Sequence, residues 1–106
     1  MEPALKAIAE PHRRQILLLV SDRERAAGDI AAHFDVTHAA VSQHLRVLKE
    51  AGLVRERRDG RRRLYTARRE SIGRLRAELD SFWTQALTRL KHEAEAEQRR
   101  KDGRDG

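Results

Sequence analysis

Between Thr37 and Thr66 the sequence leaves little choice of fold. Val41, Leu45 and Leu48 recur at i, i+4 and i+7, the spacing of an amphipathic helix. Thr37 is the residue type that caps a helix N-terminus, and Gly52 stands where a terminator belongs. The predicted helix therefore runs to Ala51, and two strands follow at once. Residues 54–58 and 61–66 flank Asp59-Gly60, a dipeptide favoured in two-residue hairpin turns. A turn on those two residues pairs Arg58 with Arg61, Glu56 with Arg63 and Val54 with Tyr65. Val54 and Tyr65 then share one face, and Glu56–Arg63 is a favourable opposite-charge pair.

The segments on either side fit the same architecture. Leu5 and Ile8 lie on one face of a short first helix, and Pro11 suits the first turn of a second, over 11–21, with Ile16, Leu17, Leu19 and Val20 available to the core. Ser21–Arg25 reads as a polar connection. A third helix over 27–34 carries Ile30 and Phe34 on its inner face, and Asp35-Val36 is a tight link to the helix that follows. Short helix, tight link and amphipathic helix make a helix-turn-helix, and the hairpin makes it a winged one. The expected fold class is mainly α with a two-stranded β-hairpin.

From about Arg69 to about Glu97 the pattern is helical again. Ile72, Leu75, Leu79, Phe82, Ala86 and Leu90 recur at spacings of three and four, and Trp83 and Leu87 widen the stripe. At ~1.5 Å per residue this helix spans roughly 40 Å, more apolar face than a small domain covers by itself. A partner helix from a second subunit is the economical cover. Leu5, Ile8, Ile72, Leu75, Leu79, Phe82, Trp83 and Leu90 are the dimer-interface candidates, some of them also packing on the helix-turn-helix core. Residues 1–97 are expected to form one winged helix-turn-helix domain that also dimerises, and 98–106 a charged flexible tail.

Composition narrows the function. The chain has 106 residues, 39% hydrophobic and 38% charged, and room for one domain. An aromatic share of only 4% argues against a ring-lined ligand pocket. Lys+Arg of 23 against Asp+Glu of 17 gives a net charge of +6, which suits a polyanion without separating DNA from RNA or an anionic membrane. With no cysteine, disulfides, thiolate nucleophiles and cysteine-ligated zinc are excluded. The longest apolar run, Ile16–Val20, is far below the ~18 residues of a membrane span, so no membrane partner is expected. Met1, Glu2 and Pro3 show no basic-then-apolar signal pattern, and a cytoplasmic location is the expectation. No nucleophile–base–acid set, glycine-rich phosphate loop or paired carboxylates point to an enzyme.

An exposed helix face fits the major groove of duplex DNA, and here that face is small and polar: Ala39, Ser42, Gln43, Arg46 and Glu50. Gln43 can read adenine through its amide, and Arg46 can read guanine or hold a phosphate. Thr37, His38 and Ser42, near the helix start, suit phosphate or mixed contacts. Arginines 55, 57, 58, 61, 62 and 63 crowd the hairpin against only Glu56 and Asp59. Of these, Arg57, Arg58, Arg61, Arg62 and Arg63 are the candidates for phosphates or a narrow minor groove. Arg13 and Arg14 are further phosphate candidates, and His44, on the flank of the apolar stripe, suits packing as well as DNA. A solvated surface helix and a charged edge hairpin that resists aggregation are the plain alternatives.

Leu5-Lys6-Ala7-Ile8-Ala9-Glu10-Pro11, followed by Arg13-Arg14-Gln15-Ile16-Leu17, resembles the opening of the ArsR/SmtB family of bacterial regulators. Val41-Ser42-Gln43-His44-Leu45-Arg46-Val47-Leu48-Lys49-Glu50-Ala51-Gly52-Leu53-Val54 resembles its recognition helix, and Arg57-Arg58-Asp59-Gly60-Arg61-Arg62-Arg63-Leu64-Tyr65 its wing. The resemblance covers about residues 4 to 90 and implies DNA contacts on the recognition helix, dimerisation through the terminal helices and a repressor on a palindromic operator. Many relatives bind zinc, cadmium or arsenite through cysteines of the third helix, where this chain has Ala26-Ala27-Gly28. Others use carboxylates and histidines of the last helix. Asp80, His92 and Glu95 lie there, but Phe82 and Trp83 stand where the second histidine belongs, as in members without a metal site. His12, His33 and His38 share no metal spacing, so no cofactor is expected and the effector stays open. A ligand- or metal-responsive repressor and a winged-helix protein-interaction or RNA-binding module are the competing readings.

Overall fold

A computed structural model describes residues 2–105, in two compact units divided after Leu75. The first holds α1 (Glu2–Ala9), α2 (Pro11–Leu19), β1 (Arg25–Ala26), α3 (Ala27–Ala31), α4 (His38–Glu50), β2 (Val54–Asp59), β3 (Arg62–Ala67) and the first turns of α5 (Arg69–Asp105). The remainder of α5 is the second unit.

Helix ends fall where local chemistry puts them. Glu10 accepts the backbone N–H of Arg13 at 2.9 Å, and Pro11 occupies the first turn of α2. The Thr37 hydroxyl accepts the N–H of Ala40 at 3.0 Å and starts α4. At its other end Gly52, with φ +76°, turns the chain into the left-handed region. The Gly52 N–H reaches the Lys49 carbonyl and the Leu53 N–H reaches that of Leu48, both at 3.0 Å, which is the two-bond Schellman closure. Leu48 and Leu53 are both fully buried, supplying the apolar contact that accompanies it.

The core of the first unit joins Ile16 of α2, Val20 just after it, Ile30 of α3, Val41, Leu45 and Leu48 of α4, then Leu53, Val54, Leu64, Tyr65 and Leu75. Each such aliphatic side chain contributes about 1.5–3 kcal/mol on burial. Backbone bonds tie the end of β3 to the residues that follow α2 and α4: Ala67 N–H to Val20 carbonyl at 3.0 Å, Arg68 N–H to Leu53 carbonyl at 2.8 Å.

The fold differs from the expectation in four respects. The sheet has three strands in the order β1-β3-β2, because Arg25 and Ala26 pair with Tyr65 and Leu64 where a plain connection was expected. Two residues are too few for a periodic signal to show. Second, the hairpin register pairs Asp59 with Arg62, Arg58 with Arg63, Glu56 with Tyr65 and Val54 with Ala67. The turn is thus Gly60-Arg61, with a positive φ only at Gly60 (+63°), as a type II′ turn requires of its first residue. The slip is an even number of residues, so every side chain keeps its predicted face. Glu56 and Arg63 still meet, diagonally, at 3.8 Å.

Third, α2 and α3 are shorter than expected. His33 and Phe34 bond back to Ile30 and Ala31, three residues earlier, which makes the end of the third-helix segment a tight turn. Fourth, α5 does not fray at Glu97 but runs to Asp105. Its final stretch lacks an apolar stripe yet is rich in Glu, Ala, Gln, Arg and Lys, all good helix formers. Pairs one turn apart, Arg99–Glu95 at 4.0 Å and Gln98–Asp102 at 3.2 Å, add support.

Candidate nucleic-acid interface

Burying Val41, Leu45 and Leu48 turns the opposite side of α4 outward. Thr37, His38, Ala39, Ser42, Gln43 and Arg46 are all exposed. The Thr37 hydroxyl is engaged as the helix cap and retains its proton for a further acceptor. Arg46 meets Glu50 at 3.3 Å, with both side chains about 70% exposed, an ion pair weak enough to yield to a base or phosphate. Ala39, Ser42, Gln43, Arg46 and Lys49 line a groove whose far wall is Glu56, Arg63 and Tyr65 of the wing. Lys49 and Glu56 close one end of it at 3.1 Å, and that lysine holds the Glu56 carboxyl below the usual range. Burial pushes the Tyr65 phenol up, leaving it a neutral wall of the groove.

The wing arginines divide into two sets. Arg57 makes a two-bond pair with Glu24, at 2.8 and 2.7 Å, which lowers the Glu24 pKa and raises that of Arg57. Arg62 stands 3.5 Å from Asp29, and Arg63 3.8 Å from Glu56. Arg58 and Arg61, at the tip, have no acidic partner among the described residues. Glu24, Asp29 and Lys49 were not singled out from sequence, since each reaches the wing or groove only through the tertiary fold.

Two other candidates turn inward. Arg13 donates to the carbonyls of Ala7 and Lys6 at 2.6 and 3.2 Å, and Arg14 to those of Ile8 and Ala9 at 2.8 and 3.1 Å. They satisfy the carbonyl end of α1, a role that basic side chains take at helix C-termini, instead of facing a phosphate. His44 is half-buried against Glu10, on the packing side of α4.

Of the apolar candidates, Leu75 is 7% exposed and already belongs to the core. Leu5, Ile8, Ile72 and Leu79 are half-buried. Phe82, Trp83 and Leu90, with Leu87 beside them, are 57–61% exposed along α5. The rings of Phe82 and Trp83 meet edge to face at 5.4 Å. No helix among the described residues is long and apolar enough to cross a membrane.

The model of the arsR family of bacterial regulatory proteins matches residues 10–56, which hold α2 to α4 and the first three residues of β2. The chain is 44% identical over 85 residues to the HTH-type transcriptional regulator Rv2034 of Mycobacterium tuberculosis, covering 80% of this chain and 79% of that one. It is 42% identical over 60 residues to the transcriptional repressor SdpR of Bacillus subtilis, covering 57% and 67%. A solution structure of a homodimeric winged helix-turn-helix DNA-binding domain from Mycobacterium bovis, a possible ArsR-family transcriptional regulator, superposes with TM-score 0.64 at 36% identity, over 76% of this chain and 75% of that one. With its helix-turn-helix, wing and exposed polar α4 face, the chain belongs to the ArsR family of winged-helix transcriptional regulators.

Proposed function

We propose that the protein is a homodimeric cytoplasmic repressor that seats α4 in the major groove of a palindromic operator and blocks the promoter by occupancy. Gln43 and Arg46 read base edges; Thr37, His38, Ala39 and Ser42 let the helix approach and hold the backbone; the wing arginines take phosphates or the minor groove. The observation that carries this reading is the pairing of one exposed, small and polar helix face with an unpartnered arginine tip, Arg58 and Arg61, on the adjoining hairpin. Operator binding uses side chains alone and requires no metal.

The exposed Phe82, Trp83, Leu87 and Leu90 support dimerisation through α5, because such a stripe is stable in water only under a partner. Two-fold symmetry then makes the operator an inverted repeat. The homodimeric Mycobacterium bovis domain and the repressor SdpR support the same assembly and direction of control.

Alanine at Gln43 and at Arg46 tests the assignment of readout. Each is expected to cost about 1–3 kcal/mol on the operator and to relax preference for one base pair. Alanine at Arg58 or Arg61 is expected to weaken operator and scrambled duplex alike. Identical behaviour of all four variants on every duplex would remove base reading from α4.

A further inference from the structure

The corner between α1 and α2 carries side chains that DNA binding leaves unused. Glu10, His12 and His44 each offer one ligand atom, and these atoms lie within 4.8 Å of one another. They are the one such group of three or more among the described residues. His12 Nδ1 is 2.8 Å from Glu10 Oε1, and His44 Nε2 is 3.8 Å from Glu10 Oε2. The two imidazoles are stacked, 5.5 Å apart and 10° from parallel, with Phe34 against His12 at 5.8 Å. The side chains of Glu10, His12 and His44 are 29%, 41% and 18% exposed, partly dry yet open to solvent.

We propose that Glu10, His12 and His44 form a binding site for a divalent transition ion of zinc's class, with a fourth position left to water. Two imidazoles and one carboxylate suit such an ion, whereas calcium and magnesium prefer oxygen alone. In a tetrahedral site with bonds of about 2.0–2.1 Å, neighbouring donors stand roughly 3.3 Å apart. His12 Nδ1 stands 2.8 Å from Oε1, His44 Nε2 stands 3.8 Å from the neighbouring Oε2, and the three ligand atoms lie within 4.8 Å of one another, so closure on an ion through Oε1 takes side-chain shifts of about 1–2 Å.

The ligands are prepared for this in two ways. His12 Nδ1 at 2.8 Å from Oε1 and the backbone N–H of Arg13 at 2.9 Å from Oε2 fix the direction of the Glu10 carboxylate. Its Oε2 caps α2, which leaves Oε1 for the ion in place of the proton shared with His12. One contact has to be given up. Arg13 Nη1 lies 3.4 Å from His44 Nδ1, and metal on Nε2 puts the ring proton on Nδ1. Arg13 keeps its bonds to Ala7 and Lys6. The ion would thereby tie the N-terminus of α2 to the middle of the recognition helix. On α5, Asp80 and Glu95 pair with Arg76 and Arg99 at 4.0 Å.

The test is a titration of metal-free full-length chain with Zn²⁺ against a chromophoric chelator, repeated with Co²⁺, whose visible spectrum reports coordination number. One ion per chain is expected, with affinity at least about tenfold lower in Glu10→Gln and in His12→Ala and unchanged in His92→Ala. Glu10→Gln keeps an oxygen for the α2 cap and the His12 side chain is 41% exposed and outside the apolar core, so both variants should fold, which circular dichroism checks. Absence of saturable binding, binding undiminished in both variants, or loss in His92→Ala alone overturns the site. The titration contains no DNA, so its outcome is independent of operator recognition.

Discussion

Because Glu24 holds Arg57 by two bonds, the charge of the wing can be tested one arginine at a time. Glu24→Gln keeps the shape of the partner and removes its charge. Arg57, whose side chain is 59% exposed, is then free to reach a phosphate. Each added phosphate contact steepens the dependence of log K on log salt by about 0.9, an extra loss of about 3.5-fold between roughly 50 and 200 mM salt. Glu24→Gln is therefore expected to bind duplex more tightly at low salt and with a slope steeper by about 0.9. Arg61→Ala should lose about the same slope, while Arg57→Ala in the native background should change it by much less. Fluorescence anisotropy on one labelled duplex across a salt series gives all four slopes. Equal slopes for Arg57→Ala and Arg61→Ala, together with no effect of Glu24→Gln, would refute the division of the wing into held and free arginines.

Three further outcomes follow from the packing and the ion pairs. Leu45→Ala, at a site 1% exposed, should cost about 2–5 kcal/mol in urea unfolding while leaving the DNA-facing side of α4 unaltered. Leu90→Glu, on the exposed stripe, should give folded monomers by sedimentation equilibrium, with weakened operator binding; a dimer of normal affinity would refute the α5 interface. The carboxyls of Glu24 and Glu56 titrate below their ordinary value of 4.5, held down by Arg57 and Lys49. Their contribution to stability is complete above that pH and is lost as the pH falls through the lowered folded values. Acid unfolding of Glu24→Gln should accordingly be less steep below about pH 4.5 than that of the native chain.

Features set by side-chain period were legible in the sequence. The apolar stripe of α4, its Thr37 cap and its Gly52 terminator are local signals, and each lies where the residues put it. The faces of the wing followed from strand alternation, and survived an error in register because the slip was even. The turn itself was misplaced because Asp59-Gly60 and Gly60-Arg61 both put a glycine where a positive φ is needed, and propensity does not choose between them. Contacts made by distant segments left no pattern to read. The β1–β3 pairing, the Glu24–Arg57 clamp and the meeting of Glu10 with His44 arise only once the helices pack. Arg13 and Arg14 show the opposite lesson: charge alone suggested phosphate, yet the open carbonyls of α1 lay closer.

The central claim is that α4 reads sequence within a symmetric dimer. Selection of the purified protein on random duplexes, with recovered pools rebound at two salt concentrations, tests it most directly. The account predicts an enriched inverted repeat whose half-sites lie about one helical turn apart, with its most constrained positions lost in Gln43→Ala or Arg46→Ala. Binding without enrichment, carried by a steep salt dependence and indifferent to those two substitutions, would contradict it.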